Sequence, residues 1–289
     1  MERTIKLMFK SKPTLEGAGV RLHRAFGYHQ IPLFDPFLLL DHFGSQNPED
    51  YIKGFPWHPH RGIETVTYML TGEVAHGDSM GNSGVIRSGD LQWMTAGSGV
   101  IHQEMPKRYE GLLEGFQLWV NLPAAQKMTH PRYQGILWDQ IPTIHHENAM
   151  IKIIAGKIDG TPGPVKDLMV DIEYLDVSLP TGKHFIRTTP KGYTTLLYVI
   201  RGSGSLQGKT IGSHEGVLFN DGDRVALSAA EDLRFLFITG EPLKEPIAWG
   251  GPIVMNTEAE LQQAFKELEN GTFIRQSHSD SLSSDYYRG

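Results

Sequence analysis

The sequence contains no cysteine. A disulfide framework, a thiolate metal site and a cysteine nucleophile are therefore excluded, and any metal must sit on nitrogen and oxygen ligands. Positive charge is also scarce: 27 Lys and Arg stand against 33 Asp and Glu, for a net charge of −6. No basic field is available to attract a phosphate backbone, so direct nucleic-acid binding is not expected. Long apolar runs are missing as well. No segment approaches the roughly 20 apolar residues that a membrane span requires, and the opening MERTIKLMFKSKPTLEGAG has no apolar signal-peptide core. The expected location is the cytoplasm. What is present is a balance of 39% hydrophobic and 21% charged residues, with 32 Gly and 17 Pro among 289 residues. That composition suits a folded, turn-rich chain long enough for two domains.

From about Gly17 to Leu243 the pattern is one of short apolar and β-branched runs between Gly, Pro, Asp and Asn. Thr65-Val-Thr-Tyr-Met-Leu70, Gly115-Phe-Gln-Leu-Trp-Val120, Thr195-Leu-Leu-Tyr-Val-Ile200 and Arg234-Phe-Leu-Phe-Ile238 are examples. Such runs predict antiparallel sandwich or barrel structure. Tyr68-Met-Leu-Thr-Gly72 is echoed by Tyr198-Val-Ile-Arg-Gly202, and Gly89-Asp90 by Gly222-Asp223, which suggests two copies of one barrel. The Pro- and His-rich stretch from Pro123 to Pro164 is the expected crossover, giving domains 1–135 and 136–289. Leu261, Ala264, Phe265 and Leu268 fall at helical spacing behind a Thr257/Glu260 capping-box pattern, with Gly271 beyond. A C-terminal helix is expected over 257–270, closing a barrel end or packing on a sheet face, followed by a polar, disordered tail.

The chemistry-bearing stretches are Trp57-His58-Pro-His60-Arg-Gly-Ile-Glu64 and Gly99-Val-Ile-His102-Gln-Glu104. Residues two apart in a strand point to one face, so each stretch offers two ligands together. A lone His-x-His marks a polar turn more often than a ligand pair; the second pair at the same period changes that balance. Three imidazoles and a carboxylate suit iron, manganese, nickel, copper or zinc. Glu64 competes with Glu104 for the carboxylate position, since it too is separated from His60 by an even number of residues. It could instead be a buried acid or the partner of Arg61.

His58-Pro-His-Arg-Gly-Ile-Glu-Thr-Val-Thr-Tyr68, His76-Gly-Asp-Ser-Met-Gly-Asn-Ser-Gly84, Gly89-Asp-Leu-Gln-Trp-Met-Thr-Ala-Gly97 and His102-Gln-Glu-Met105 resemble the signature of the pirin family. Phe116-Gln-Leu-Trp-Val-Asn-Leu-Pro123 and Gly251-Pro-Ile-Val-Met-Asn-Thr257 extend the resemblance over nearly the whole chain. It implies an all-β fold of two cupin barrels (double-stranded β-helix, jelly roll) with a short C-terminal helix. It also implies one divalent metal ion in the first barrel, held by His58, His60, His102 and Glu104. Iron(II) is the first candidate, with zinc, nickel, manganese, copper and cobalt behind it.

In the second copy, shifting by the Tyr-x-x-x-Gly echo puts Thr188, Pro190 and Thr194 in place of His58, His60 and Glu64. His184 and His214 stand isolated, and Arg-Phe-Leu-Phe is taken as the counterpart of the later ligand strand, so a metal-free second barrel is expected. His76 and Asp78 are read as pocket-mouth residues, with a turn-stabilising role for Asp78 the rival reading. Gln103 should face away from the ligands. Trp57, Trp93, Trp119, Met94 and Met105 are pocket-wall or core residues, and Arg61 is expected in solvent or on Glu64. Gly202-Ser-Gly-Ser is a hairpin turn and not a phosphate loop, since no strand-to-helix setting surrounds it.

The resemblance implies a quercetin 2,3-dioxygenase reaction on a flavonol or similar small aromatic hydroxy-ketone, with Glu104 as catalytic base. The alternative is a metal- and redox-dependent binding partner of a transcription factor or metabolic enzyme without turnover. A sugar isomerase is disfavoured, because no basic cluster accompanies the site to hold a phosphate. A monomer is expected.

Overall fold

The computed structural model describes residues 1–146 and 148–275. Its elements, in chain order, begin with β1 (Ile5–Lys10), β2 (Lys12–Glu16), β3 (Val20–Phe26), β4 (Phe37–Ser45), β5 (Phe55–His60) and β6 (Ile63–Thr71). They continue with β7 (Glu73–Asp78), β8 (Ser83–Arg87), β9 (Leu91–Thr95), β10 (Val100–Pro106), β11 (Leu113–Asn121) and β12 (Arg132–Ile136). Next come β13 (Thr143–His146), β14 (Ala149–Ala155), β15 (Lys157–Ile158), β16 (Thr161–Pro162), β17 (Ile172–Leu179), β18 (His184–Thr188) and β19 (Thr194–Arg201). The chain ends with β20 (Ser203–Leu206), β21 (Lys209–Gly212), β22 (Glu215–Phe219), β23 (Arg224–Ala229), β24 (Leu233–Gly240), β25 (Ala248–Gly250), β26 (Ile253–Met255) and α1 (Glu258–Glu269).

The strands form two barrels of one plan. The first pairs a seven-stranded sheet, β12-β9-β6-β11-β4-β3-β2, with a four-stranded sheet, β5-β10-β7-β8. The second pairs β1-β22-β19-β24-β17-β14-β13 with β18-β23-β20-β21. The Tyr68 and Tyr198 repeats fall on the matching strands β6 and β19, as the echo predicts. Two other correspondences drawn from sequence are corrected. Gly222-Asp223 leads into β23, the counterpart of β10, whereas Gly89-Asp90 leads into β9. Arg234-Phe-Leu-Phe lies in β24, which matches β11, so the counterpart of the ligand strand β10 is β23. Apolar runs one strand apart look alike, and only the pairing separates them.

The terminal segments depart from a division at 135/136. One compact unit comprises Met1–Lys12, Ala25–Pro36 and Asp139–Leu243; the other comprises Pro13–Arg24, Phe37–Trp138 and the described residues from Lys244. β1 therefore adds an edge strand to the second barrel, and α1 belongs with the first. The helix forms as its pattern predicts: Thr257 Oγ1 accepts from Glu260 N–H, the Glu260 carboxylate accepts from Thr257 N–H, and Gly271 turns the chain at φ +66°. Leu261 and Ala264 bury its apolar face against Ile101, Ile253, Met255 and Phe273. The polar tail predicted from Gln276 lies outside the described residues. No helix among the described residues is long and apolar enough to cross a membrane.

The interiors differ in chemistry. The second barrel is filled by aliphatic and aromatic side chains, among them Ile153, Leu175, Val177, Leu197, Val199, Phe235 and Phe237. The first has a smaller apolar plug, Val20, Leu22, Phe43, Tyr51, Met69, Val74, Ile86 and Leu113. Several of its other inward positions are polar. Thr67, for example, stands where the Tyr68/Tyr198 repeat puts Leu197 in the other barrel.

Candidate metal centre

β5 and β10 run antiparallel with His102 directly opposite His58, so the alternation of the pleat turns His58, His60 and His102 inward together. Their ligand nitrogens lie within 4.8 Å of one another, a set that can hold a metal ion. The rings stand edge-on or tilted to each other, with centroids 4.4 to 5.0 Å apart. Trp119 on β11 meets the His60 ring edge-to-face at 5.0 Å.

The hydrogen bonds fix what these nitrogens offer. His58 Nδ1 lies 2.8 Å from the Pro56 carbonyl, and His60 Nδ1 lies 3.0 Å from the Pro252 carbonyl. A carbonyl only accepts, so both Nδ1 atoms carry the proton and both Nε2 atoms present a lone pair. Those two Nε2 atoms face each other at 3.1 Å. His102 Nε2 is buried with no hydrogen-bond partner among the described residues. Burial holds all three rings neutral. It lowers the His58 pKa, drops His60 to about 3 with help from neighbouring His58, and pushes His102 well below the ordinary range. Facing lone pairs in a buried site repel unless a cation lies between them, so the donor set fits a divalent metal.

The two candidate glutamates are separated by strand alternation. On β6, Thr65, Thr67 and Met69 face inward, and Glu64, Val66 and Tyr68 face the other side of the sheet. Glu64 Oε1 accepts from Thr95 Oγ1 at 2.6 Å, on that opposite face. Glu104, by contrast, is buried inside, its Oε1 2.7 Å from Thr67 Oγ1, which also reaches Gln117 Oε1 at 2.8 Å. Burial raises the Glu104 pKa, and the Thr67 hydroxyl offsets part of that. A shift of register after His102 puts Glu104 opposite Phe55 on one side and His76 on the other. Its carboxylate is not part of the converging nitrogen set.

His76 lines the same interior. Its Nε2 lies 2.8 Å from the Tyr133 hydroxyl, the two rings stacked at 5.0 Å. Gly84 makes this position available, since a Cβ there would come within 3.0 Å of His76 Nε2. Gln92 hydrogen-bonds the Tyr133 phenol, while Gln92 Oε1 and Thr65 Oγ1 are buried without hydrogen-bond partners among the described residues. Asp78 is a turn stabiliser: its carboxylate accepts from Met80 N–H, Asn82 N–H and the Asn82 amide.

Among the aromatic and methionine candidates, Met94 faces the interior, and Trp93 is core on the opposite face of β9. Trp57 packs against the cluster under α1, and Gln103 and Met105 alternate away from the ligands on β10. Arg61 is neither solvated nor paired with Glu64, as sequence suggested. It is 2% exposed, with Nη1 2.7 Å from Glu267 and the other donors on the Ser98 and Phe273 carbonyls. Sequence reasoning also passed over Thr67, Gln117, Tyr133 and Pro252. Thr67, Gln117 and Pro252 lie within the quoted family stretches, but no spacing ties them to the ligands, and Thr67, Tyr133 and Pro252 make their contacts across distant stretches of chain.

The depressed histidine pKa values make a prediction for metal-stripped protein. Below pH 6.5 the unfolded chain takes up protons that the buried rings refuse, so stability is full above that pH and is lost as pH falls toward 3. The slope is about 1.4 kcal/mol per pH unit for each histidine. Urea unfolding between pH 7 and 4.5 should show this loss, and His60→Gln should lower the slope by about one proton. An unchanged slope would mean that His60 titrates normally.

Comparison with known proteins agrees with this architecture. Residues 19–120 match the pirin family and residues 174–274 match the pirin C-terminal cupin domain. A pirin-like protein of Caulobacter vibrioides is 44% identical over 273 residues, covering 94% of this chain and 99% of that protein. A Pseudomonas aeruginosa protein provisionally named a quercetin 2,3-dioxygenase is 40% identical over 277 residues, covering 93% and 97%. The crystal structure of quercetin 2,3-dioxygenase from Acinetobacter baumannii superposes with a TM-score of 0.88 at 35% identity, covering 94% of this chain and 99% of that one. With both barrels matched and 44% identity to a relative over nearly the full length, the chain belongs to the pirin family.

Proposed function

We propose that the protein is a mononuclear metal dioxygenase of the quercetin 2,3-dioxygenase type, with iron(II) as the metal. His58, His60, His102 and Glu104 are its ligands. The observation that carries this reading is the pair of lone-pair nitrogens, His58 Nε2 and His60 Nε2, facing each other at 3.1 Å beside the unpartnered His102 Nε2. A bound iron(II) would supply a Lewis acid for a hydroxy-ketone and an electron conduit for dioxygen.

The chain's own residues do the rest. Thr67 Oγ1 holds Glu104 by Oε1, and Oε2 accepts the flavonol hydroxyl proton as substrate enters. Burial raises the carboxylate pKa toward that of the acidic hydroxyl, which brings donor and acceptor closer in strength. Trp119 and Met94 give the substrate ring an apolar wall. The Tyr133–His76 pair with Gln92 and Thr65 offers hydrogen bonds to hydroxyl substituents. This lining suits a small, polyhydroxylated aromatic substrate.

Oxygen uptake by iron-reconstituted protein on addition of quercetin tests the reading. Flavonol-dependent uptake that vanishes on metal removal is the expected result. Absence of uptake with several flavonols, at full iron occupancy, would favour the rival reading of a metal-dependent binding protein without turnover.

A further inference from the structure

The part of the first barrel most distant in sequence is the segment beyond Lys244, and its contacts converge on the ligand strands. The Pro252 carbonyl that accepts from His60 Nδ1 lies 192 residues from that histidine. The next residues continue the contact: Val254 N–H donates to the Arg61 carbonyl at 3.1 Å, and Ile253 bridges Arg61. Gly62 has φ +77°, and a Cβ there would lie 2.0 Å from the Val254 carbonyl, so the segment approaches too closely for any side chain.

Two buried cations hold this approach. Lys127 is 1% exposed, and its ammonium gives its three protons to Gly62 O at 2.9 Å, Asn121 Oδ1 at 2.7 Å and Val254 O at 2.9 Å. It thereby ties the residue two beyond His60 to the residue two beyond Pro252. Arg61, next to His60, reaches the far end of the segment through Phe273 O at 2.9 Å and Glu267 at 2.7 Å, its guanidinium 4.1 Å from the centre of the Phe273 ring. Trp57 and Ile101, the neighbours of His58 and His102 that alternate to the other face, pack against Ile253, Met255, Leu261 and Phe273. The segment thus covers the outer face of both ligand strands.

We propose that the C-terminal segment is a positioning element of the metal centre, and that Lys127 and Arg61 clamp it so that the Pro252 carbonyl fixes the tautomer and orientation of His60. This rests on the metal reading given above. A buried ammonium with three oxygen acceptors has no hydrophobic equivalent at this place: removing it takes a donor from Val254 O, Asn121 Oδ1 and Gly62 O, the last keeping the Leu122 N–H at 3.3 Å. Burial lowers the Lys127 pKa to about 7, and Glu245 and Glu260 of the same segment offset part of that in favour of the charged form. Ligand-orienting groups of this kind change metal affinity by about 10- to 100-fold when removed.

The test is a cobalt(II) titration of the full-length chain, followed by visible absorption, which reports both affinity and ligand geometry. Lys127→Met should fold, as read by circular dichroism, bind cobalt(II) about tenfold or more weakly, and shift the visible bands. Lys127→Arg should not restore them, because a planar guanidinium cannot place donors on three convergent oxygens. Leu227→Ala, a cavity in the second barrel, should lower stability and leave cobalt affinity unchanged. If Lys127→Met does not fold, Glu267→Gln carries the same expectation at the other end of the clamp. A folded Lys127→Met or Glu267→Gln variant with wild-type affinity and spectrum overturns the proposal alone. Failure of the wild-type chain to take up cobalt(II) overturns the metal reading, and the proposal with it.

Discussion

Alanine at position 102 is expected to abolish stoichiometric metal binding. His102 is 1% exposed and central to the nitrogen set, its Nε2 without a hydrogen-bond partner among the described residues. Without it, two neutral imidazoles from one strand remain, and neither can turn away, because each Nδ1 is committed to a backbone carbonyl. The loss should exceed the roughly 10- to 100-fold that follows removal of a merely orienting group. Elemental analysis of His102→Ala purified beside wild type should show near one metal per chain in the wild type and a small fraction of that in the variant. Thermal unfolding gives an independent readout. Metal at about 1,000 times its dissociation constant stabilises the folded chain by about 4 kcal/mol, and that gain should vanish in the variant. Retention of a full equivalent of metal by His102→Ala would mean that the metal sits elsewhere.

Much of this centre is legible in the sequence because strand geometry is a local rule. His58 with His60, and His102 with Glu104, sit two apart in runs that read as strands, and period two alone turns each pair to one side. The two-barrel plan is legible for a similar reason, through the Tyr68 and Tyr198 echo. What escaped depends on which strand lies beside which. Glu64 shares the parity of His60 in sequence, but a turn at Arg61-Gly62 separates β5 from β6, and parity does not carry across it. Thr67, Tyr133 and Pro252 reach the site across 37, 57 and 192 residues, to Glu104, His76 and His60 respectively. Arg61 reads as solvated or paired with Glu64 because only nearby residues are visible as partners in sequence; its actual partners Glu267 and Phe273 come from more than 200 residues further along. Mis-matching β24 with β10 had the same origin.

The second large effect divides the two glutamates by what each variant loses. Glu104→Gln keeps the size of the side chain and the acceptor for Thr67 Oγ1, so the barrel should fold as wild type. The three histidines should still hold metal, with affinity reduced by about tenfold, since a neutral amide is a poorer donor than a carboxylate. Flavonol-dependent oxygen uptake should fall by about 10²- to 10⁴-fold, because the amide cannot accept the hydroxyl proton. Glu64→Gln should do neither. Its side chain lies on the outward face of β6, against Thr95, where an amide oxygen still accepts the threonine hydroxyl. Metal content and oxygen uptake, measured in parallel on both variants, separate the roles. Metal lost from Glu64→Gln and kept by Glu104→Gln would transfer the carboxylate role to Glu64. Full turnover in metal-loaded Glu104→Gln would instead leave Glu104 as a structural acid and require the proton acceptor to be sought at the Tyr133–His76 pair.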